Sequence, residues 1–153
     1  MKKAFNLIML IGLMALSFTS CKPESGSDEP ELTTEQKIIG RWVDADKATD
    51  HWVYQNTFVV DSLRETENAR WGYCWDEADD VTEQDVLAEK NYEHGYPGNG
   101  WFQWWVDSKN LTQVHMMTVS EAREPKYYTI TLINSTTLKL KDSFGITKTY
   151  IKQ

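Results

Sequence analysis

The stretch Ile38-Ile39-Gly40-Arg41-Trp42-Val43 sets a Gly-x-Trp at the head of a series of short β-prone runs, and the folded domain is expected to start there. Residues 41–45 predict a first strand. Asp46-Lys47-Ala48-Thr49-Asp50 predicts a turn, and residues 51–60, with Trp52, Tyr54 and Phe58, a second strand. Residues 70–75 alternate Trp71, Tyr73 and Trp75 against Gly72 and Cys74. Residues 101–106 and 111–119, joined by the turn formers Asp107-Ser108-Lys109-Asn110, give the clearest hairpin signal. In residues 127–133, Tyr128, Ile130 and Leu132 are expected on one face and Tyr127, Thr129 and Thr131 on the other. Residues 137–141 follow with Leu138 and Leu140 inward, and residues 146–152 form the last strand. About eight short strands at this spacing predict a mainly β fold, an antiparallel up-and-down barrel.

Two stretches depart from the strand pattern. Thr34 and Gln36-Lys37-Ile38-Ile39 can form a helical turn leading into Gly40. Val81-Thr82-Glu83-Gln84-Asp85-Val86 predicts the one short helix of the domain, with Thr82 as N-cap, Asp85 in the capping-box position and Val81 and Val86 as the staple. That helix is expected to run about three turns to Tyr92, where His94-Gly95-Tyr96-Pro97-Gly98-Asn99-Gly100 stops it. It is expected to serve as a lid or plug on one end of the sheet.

The first part of the chain has a different character. Met1-Lys2-Lys3, an apolar run over residues 7–16, and Ser17-Phe18-Thr19-Ser20-Cys21 form a secretory signal too short to span a bilayer. Small residues just before a Cys resemble the lipobox of bacterial lipoproteins, in which that Cys is acylated after cleavage. The expected organisation is a signal over 1–20, acylated Cys21 with a flexible tether over 21–36, and a barrel domain over 37–153. The tether is rich in Pro, Ser, Gly, Asp and Glu. Several acyl chains anchor durably, since each buried methylene contributes about 0.8 kcal/mol and one chain alone is marginal.

The formal net charge of -7 becomes -9 once Lys2 and Lys3 leave with the signal. An acidic domain without a basic run is repelled by a phosphate backbone, so no nucleic-acid partner is expected. With Cys21 consumed by lipid, Cys74 has no partner within the chain, and the fold must stand without a disulfide. Seven Trp and seven Tyr in 153 residues require large flat side chains to fill a core or line a surface.

Four stretches resemble the small lipocalin-like lipoproteins of Gram-negative bacteria: Ile39-Gly40-Arg41-Trp42, the segment from Trp75 to Glu83, Leu111-Thr112-Gln113-Val114-His115, and Pro125-Lys126-Tyr127-Tyr128-Thr129 running into Thr137-Leu138-Lys139-Leu140-Lys141-Asp142. The resemblance implies a calycin-like barrel in which Gly40 and Trp42 close one end against a basic side chain of the last strand. No Arg lies in that strand. Lys148 or Lys152 is left for the place, with Lys148 the assigned residue. It also implies an envelope protein anchored at the outer membrane through Cys21.

Candidate chemistry is sparse. Trp101-Phe102-Gln103-Trp104-Trp105 places aromatics on both faces of one strand, the outward set either packing under the helix or forming a platform for a sugar ring or apolar ligand. His115 shares a strand face with Leu111, Gln113, Met117 and Val119, and enzyme chemistry there would need carboxylates such as Asp76 or Glu121 beside it. His51 and His94 match no zinc spacing. Asp76-Glu77, Asp79-Asp80, Glu83 and Asp85 form an acidic patch at the helix start, which suits the helix dipole and lacks the spacing of an EF-hand. No nucleotide, metalloprotease or hydrolase motif occurs, so no metal and no cofactor is expected. The expected function is non-enzymatic binding of a small apolar or aromatic-stacking ligand, or a glycan, by Trp52, Tyr54, Trp104 and His115. The alternative is an adaptor whose barrel is filled with its own side chains and which contacts an envelope protein.

Overall fold

The computed structural model describes residues 30–59, 68–88, 99–116 and 124–153. Cys21, His94, Glu121, Met117, Val119, the signal and most of the tether lie outside the described residues. The compact unit runs Glu31–Gln153. Its strands are β1 Gly40–Asp44, β2 Asp50–Phe58, β3 Arg70–Asp76, β4 Gly100–Asp107, β5 Asn110–His115, β6 Lys126–Ile133, β7 Thr137–Asp142 and β8 Thr147–Lys152. Each pairs antiparallel with the next and β8 returns to β1, closing an eight-stranded barrel. Sequential neighbours and a closed edge make this the up-and-down arrangement expected from the sequence.

Among the described residues two short α-helices accompany the strands, α1 Thr34–Ile38 and α2 Glu83–Ala88, with a 3-10 turn over Glu77–Asp79 before α2. The α1 helix starts at a reciprocal capping box in which Thr33 Oγ1 accepts from Gln36 N (3.2 Å) and Gln36 Oε1 accepts from Thr33 N (2.8 Å). It lies against β4 and β6 and buries Ile38 completely. A boundary at 36/37 falls within α1, whose first residues belong to the compact unit as Ile38 does. The α2 start is the box expected: Asp85 N donates to Thr82 Oγ1 (3.3 Å) and Thr82 N to Asp85 Oδ2 (2.8 Å). The continuation of that helix toward Tyr92 falls outside the described residues.

An up-and-down barrel sends alternate connections to opposite ends. The α1 helix and the strand ends Gly40, Phe58, Asp107, Ile133 and Lys152 share one end; Asp44, Asp76, His115, Asp142 and Thr147 share the other. Strand alternation turns Trp42, Trp52, Tyr54, Cys74, Phe102, Trp104, Leu111, Ile130, Leu138, Leu140 and Tyr150 inward as a single apolar cluster with Ile38. Gly72 is inward as well, where a Cβ would sit 2.3 Å from Phe102 Cε2 and 2.8 Å from Val53 O. The missing side chain of Gly72 is what admits the Phe102 ring.

The large face of β3 is therefore the outer one. Tyr73 and Trp75 form a second cluster with Val81 and Val86, and Val53 and Trp101 pack against it. Trp101 Nε1 donates to Val86 O (2.9 Å), and Glu83 Oε1 accepts from Arg41 Nη2 (2.5 Å) and from Tyr73 Oη (2.8 Å). Thus α2 covers the outward aromatics rather than plugging the interior.

Alternation fails at one point. The β6–β7 register shifts between Ile130 and Leu132, so Leu132 pairs with Lys139 and is 41% exposed, while Ile133, opposite Leu138, packs against the core. Simple alternation puts Leu132 on the face of Tyr128 and Ile130; the bulge turns it out.

Candidate functional site

Barrel closure at the α1 end is built as the Gly-x-Trp reading requires, with a different lysine. Trp42 is fully buried and its Nε1 donates to Ile38 O (2.7 Å). Lys152, directly opposite Trp42 in the β1–β8 register, places its Nζ 5.0 Å from the indole centroid and donates to Lys37 O (3.1 Å). Gly40 is needed twice over: its φ is +132°, and a Cβ would meet Lys152 Cε at 2.8 Å. The assignment of Lys148 to this place is thereby corrected. Lys148 and Lys152 share a strand face, but they lie four residues apart, and only Lys152 is level with Trp42.

Lys148 serves the opposite end. Its Nζ donates to Asp44 Oδ2 (2.9 Å) and stands 3.9 Å from Asp50 Oδ2. Asp44 is 3% exposed, and Lys148 is about half exposed, so the cation reaches inward to two carboxylates held in the wall. Burial, and then the neighbouring Asp44 and Asp76, push the Asp50 carboxyl up to about 6 against the opposing pull of Lys148. Burial also raises the Cys74 thiol and the Tyr150 phenol, and lifts Tyr128 to about 12, with the Asp50 charge adding to each. These groups share one weakly solvated end of the interior.

The four residues singled out for binding, Trp52, Tyr54, Trp104 and His115, converge in the barrel. Tyr54 meets Trp104 edge-on at 5.5 Å and Phe102 at 5.5 Å. Trp52 meets Phe102 at 5.7 Å, His115 at 5.9 Å and Tyr150 at 6.3 Å. Gln113 links the set, its Nε2 donating to Tyr54 Oη (2.6 Å) and its Oε1 lying 3.4 Å from His115 Nε2. The four differ in depth. Tyr54 and Trp104 are locked into the α1 half among Trp42, Phe102, Leu111 and Leu138, whose side chains are fully buried. Trp52 and His115 belong to the half that contains Asp50.

His115 is held neutral. Burial, and then the charge of Lys126, push its pKa down to about 3, so it neither donates as an imidazolium nor titrates near neutrality. It stands against Trp52, Phe102 and Gln113, and Asp76 is engaged elsewhere, by Lys47. Trp52 is the unbalanced member. It is 9% exposed, and its indole Nε1 makes no hydrogen bond of normal length and angle, although it lies near enough to Asp50 to lower that carboxyl's pKa.

The acidic patch before α2 is occupied by local roles. Asp76 Oδ1 accepts from Ala78 N (3.0 Å), Asp85 caps α2 and Glu83 holds Arg41 and Tyr73. Among the described residues no group of three or more His, Cys, Asp or Glu is arranged to hold a metal ion. Cys74 is buried and forms no disulfide among the described residues.

Sequence reasoning missed Asp50, Asp44 and Tyr150. The signal was present as parity: Asp50 stands two residues before Trp52, and Tyr150 falls between Lys148 and Lys152 on the inward face. Without strand pairing, nothing in the sequence brings β2 and β8 to one site.

Fold and site together define an eight-stranded up-and-down barrel with an aromatic interior and a charged, partly desolvated end. No family model, curated protein or solved structure matches the chain.

Proposed function

We propose that the chain is a lipocalin-like lipoprotein of the bacterial envelope, acylated at Cys21, held at the outer membrane by the tether, and acting without catalysis as a binding module. Its ligand is a small molecule with an apolar or aromatic body, a glycan ring face included. The body rests against Trp52 and Tyr150, and a polar group reaches Asp50 and the Trp52 indole. The observation that carries this reading is the half of the barrel in which the Trp52 indole, making no hydrogen bond of normal length and angle, and the Tyr150 ring stand beside a carboxyl raised to about 6. A ligand atom that accepts from Trp52 Nε1 with good geometry gains about 0.5 to 1.5 kcal/mol on binding.

Tryptophan fluorescence of the unacylated chain, titrated with fatty acids, porphyrins and oligosaccharides, tests the reading. A saturable change with one class is expected, with affinity lowered by up to about tenfold by Trp52→Phe, which keeps an aromatic ring and removes the donor. Silence across the panel would refute it. For the anchor, Cys21→Ser should abolish acyl labelling and release the protein from membranes; persistent labelling would overturn the acylation.

One observation favours the adaptor reading. Trp42, Tyr54, Phe102, Trp104, Leu111 and Leu138 fill the α1 half with their own side chains. That filling confines a ligand to the Asp50 half, and an empty titration panel with a stable fold would leave the adaptor as the better account.

A further inference from the structure

The β7–β8 turn holds two large apolar side chains in water: Phe144 is 89% exposed and Ile146 61%. The turn is well fixed. Asp142 Oδ1 accepts from Phe144 N (3.0 Å) and Ile146 N (2.8 Å), Asp142 N donates to Ile146 O (2.9 Å), and Gly145 takes a φ of +88°. A tip ordered by four hydrogen bonds, counting Gly145 N to Asp142 O (3.1 Å), displays its apolar groups rather than exposing them through slackness.

The neighbouring wall completes a surface. Tyr127, 60% exposed, lies on the outer face of β6 beside the turn, since Tyr128 pairs with Asp142. Across β5, β6 and β7 a shallow groove of about 270 Å³ is lined by Asn110, Tyr127, Thr129, Lys141, Asp142 and Ser143. The charge balance is inverted here. The segment 126–153 carries five lysines and one aspartate, +4 in a chain whose total is -7. Lys148 and Lys152 are committed to Asp44 and Trp42, and Lys126 shares the inward parity of Tyr128 and Ile130 at the rim, which leaves Lys139 and Lys141 on the outer face of β7.

We propose that the β7–β8 turn and the adjoining β6–β7 wall dock on an anionic phospholipid bilayer. Phe144 and Ile146 enter the interfacial layer and Lys141 meets a lipid phosphate at the groove. Aromatic and aliphatic groups ringed by lysine are the combination that binds such a surface, the apolar part by burial and the cations by attraction to the headgroups. A second copy of this chain fits less well, because two like-charged walls repel. The inference rests on the membrane anchor proposed above. Residues 22–33 span up to about 40 Å when extended, enough to let an acylated domain bring this turn to its own membrane.

Every described strand and helix lies within Glu31–Gln153, so the unacylated chain from Lys22 carries the whole barrel. Co-sedimentation of that protein with vesicles of equal parts phosphatidylglycerol and phosphatidylcholine should show binding that falls with added salt and is absent on pure phosphatidylcholine. Phe144→Ser with Ile146→Ser should lower the partition coefficient at least about tenfold. Lys141→Gln should lower it about fivefold, on anionic vesicles only. Both sites are exposed, and unchanged tryptophan fluorescence verifies the fold. Failure to bind anionic vesicles, equal binding to neutral ones, or full binding by the double variant would each overturn the proposal. So would a dimer in sedimentation velocity that the double variant abolishes, since the tip would then serve self-association. Because the protein tested has no acyl chain, these results stand apart from the labelling of Cys21.

Discussion

Replacing Asp50 with asparagine removes a charge that the barrel holds at a disadvantage. The folded-state pKa is raised from 3.8 to about 6 by burial, then by Asp44 and Asp76, with Lys148 and the Trp52 indole pulling the other way. A raised carboxyl binds its proton more tightly when folded, so its stabilising contribution is complete below about pH 4 and is lost as pH climbs through about 6. Two units correspond to roughly 3 kcal/mol at neutrality, and the neutral amide escapes that cost while losing a distant attraction to Lys148. We expect Asp50→Asn to be more stable than the wild type by about 1 to 3 kcal/mol at pH 8, and to match it within about 0.5 kcal/mol at pH 4. Urea unfolding followed by tryptophan emission at both pH values measures this, with an unchanged m-value as the control. His115 and Glu83, which the Asp50 charge does not shift, cancel in the difference. A variant less stable at pH 8, or an identical gap at both pH values, would refute the reasoning. A residue that weakens the fold at neutral pH is one whose presence the proposed site explains.

Other perturbations probe the barrel itself. Trp42→Ala should cost about 3 to 5 kcal/mol in urea unfolding, because a fully buried indole and its bond to Ile38 O are lost together. Gly72→Ala should destabilise by about 1 to 3 kcal/mol through collision with Phe102 and Val53 O, and Phe102→Leu in the same chain should recover part of that loss. Lys148→Met should lower stability by about 1 to 3 kcal/mol by stranding the buried Asp44 carboxylate. Lys152→Met should cost less, about 1 kcal/mol, and should raise the solvent exchange of the Trp42 indole proton, an effect Lys148→Met should not produce.

Much of the barrel was legible because its strands obey a period of two and its turns use turn-forming residues. The β4–β5 hairpin shows both the strength and the limit of that reading. Asp107 and Asn110 look like turn residues, yet they pair with each other in the ladder, and the turn is only Ser108 and Lys109, with Ser108 at a φ of 57°. Local composition locates a turn; hydrogen-bond register sets its length. The same limit explains Leu132, since a bulge leaves no mark on an otherwise regular alternation, and the lysines of β8, where parity alone cannot separate Lys148 from Lys152. The α2 start was legible down to its capping box because capping is local in sequence. The Asp50 site was not, because it joins β1, β2 and β8 across the closure of the barrel, and only the β1–β8 pairing brings Asp44, Asp50 and Lys148 together.

The most direct measurement is the indole N–H region of a proton–nitrogen NMR spectrum, recorded while whichever ligand class quenches fluorescence is added. The seven Trp give seven indole signals, assigned by single Trp→Phe variants. A ligand held in the Asp50 half should move the Trp52 indole resonance strongly, as its proton exchanges a poorly aligned contact with Asp50 for a ligand acceptor, while Trp42, already bonded to Ile38 O at the α1 end, stays fixed. An unmoved Trp52, with shifts at Trp42 or at Trp101 under α2 instead, would contradict the account.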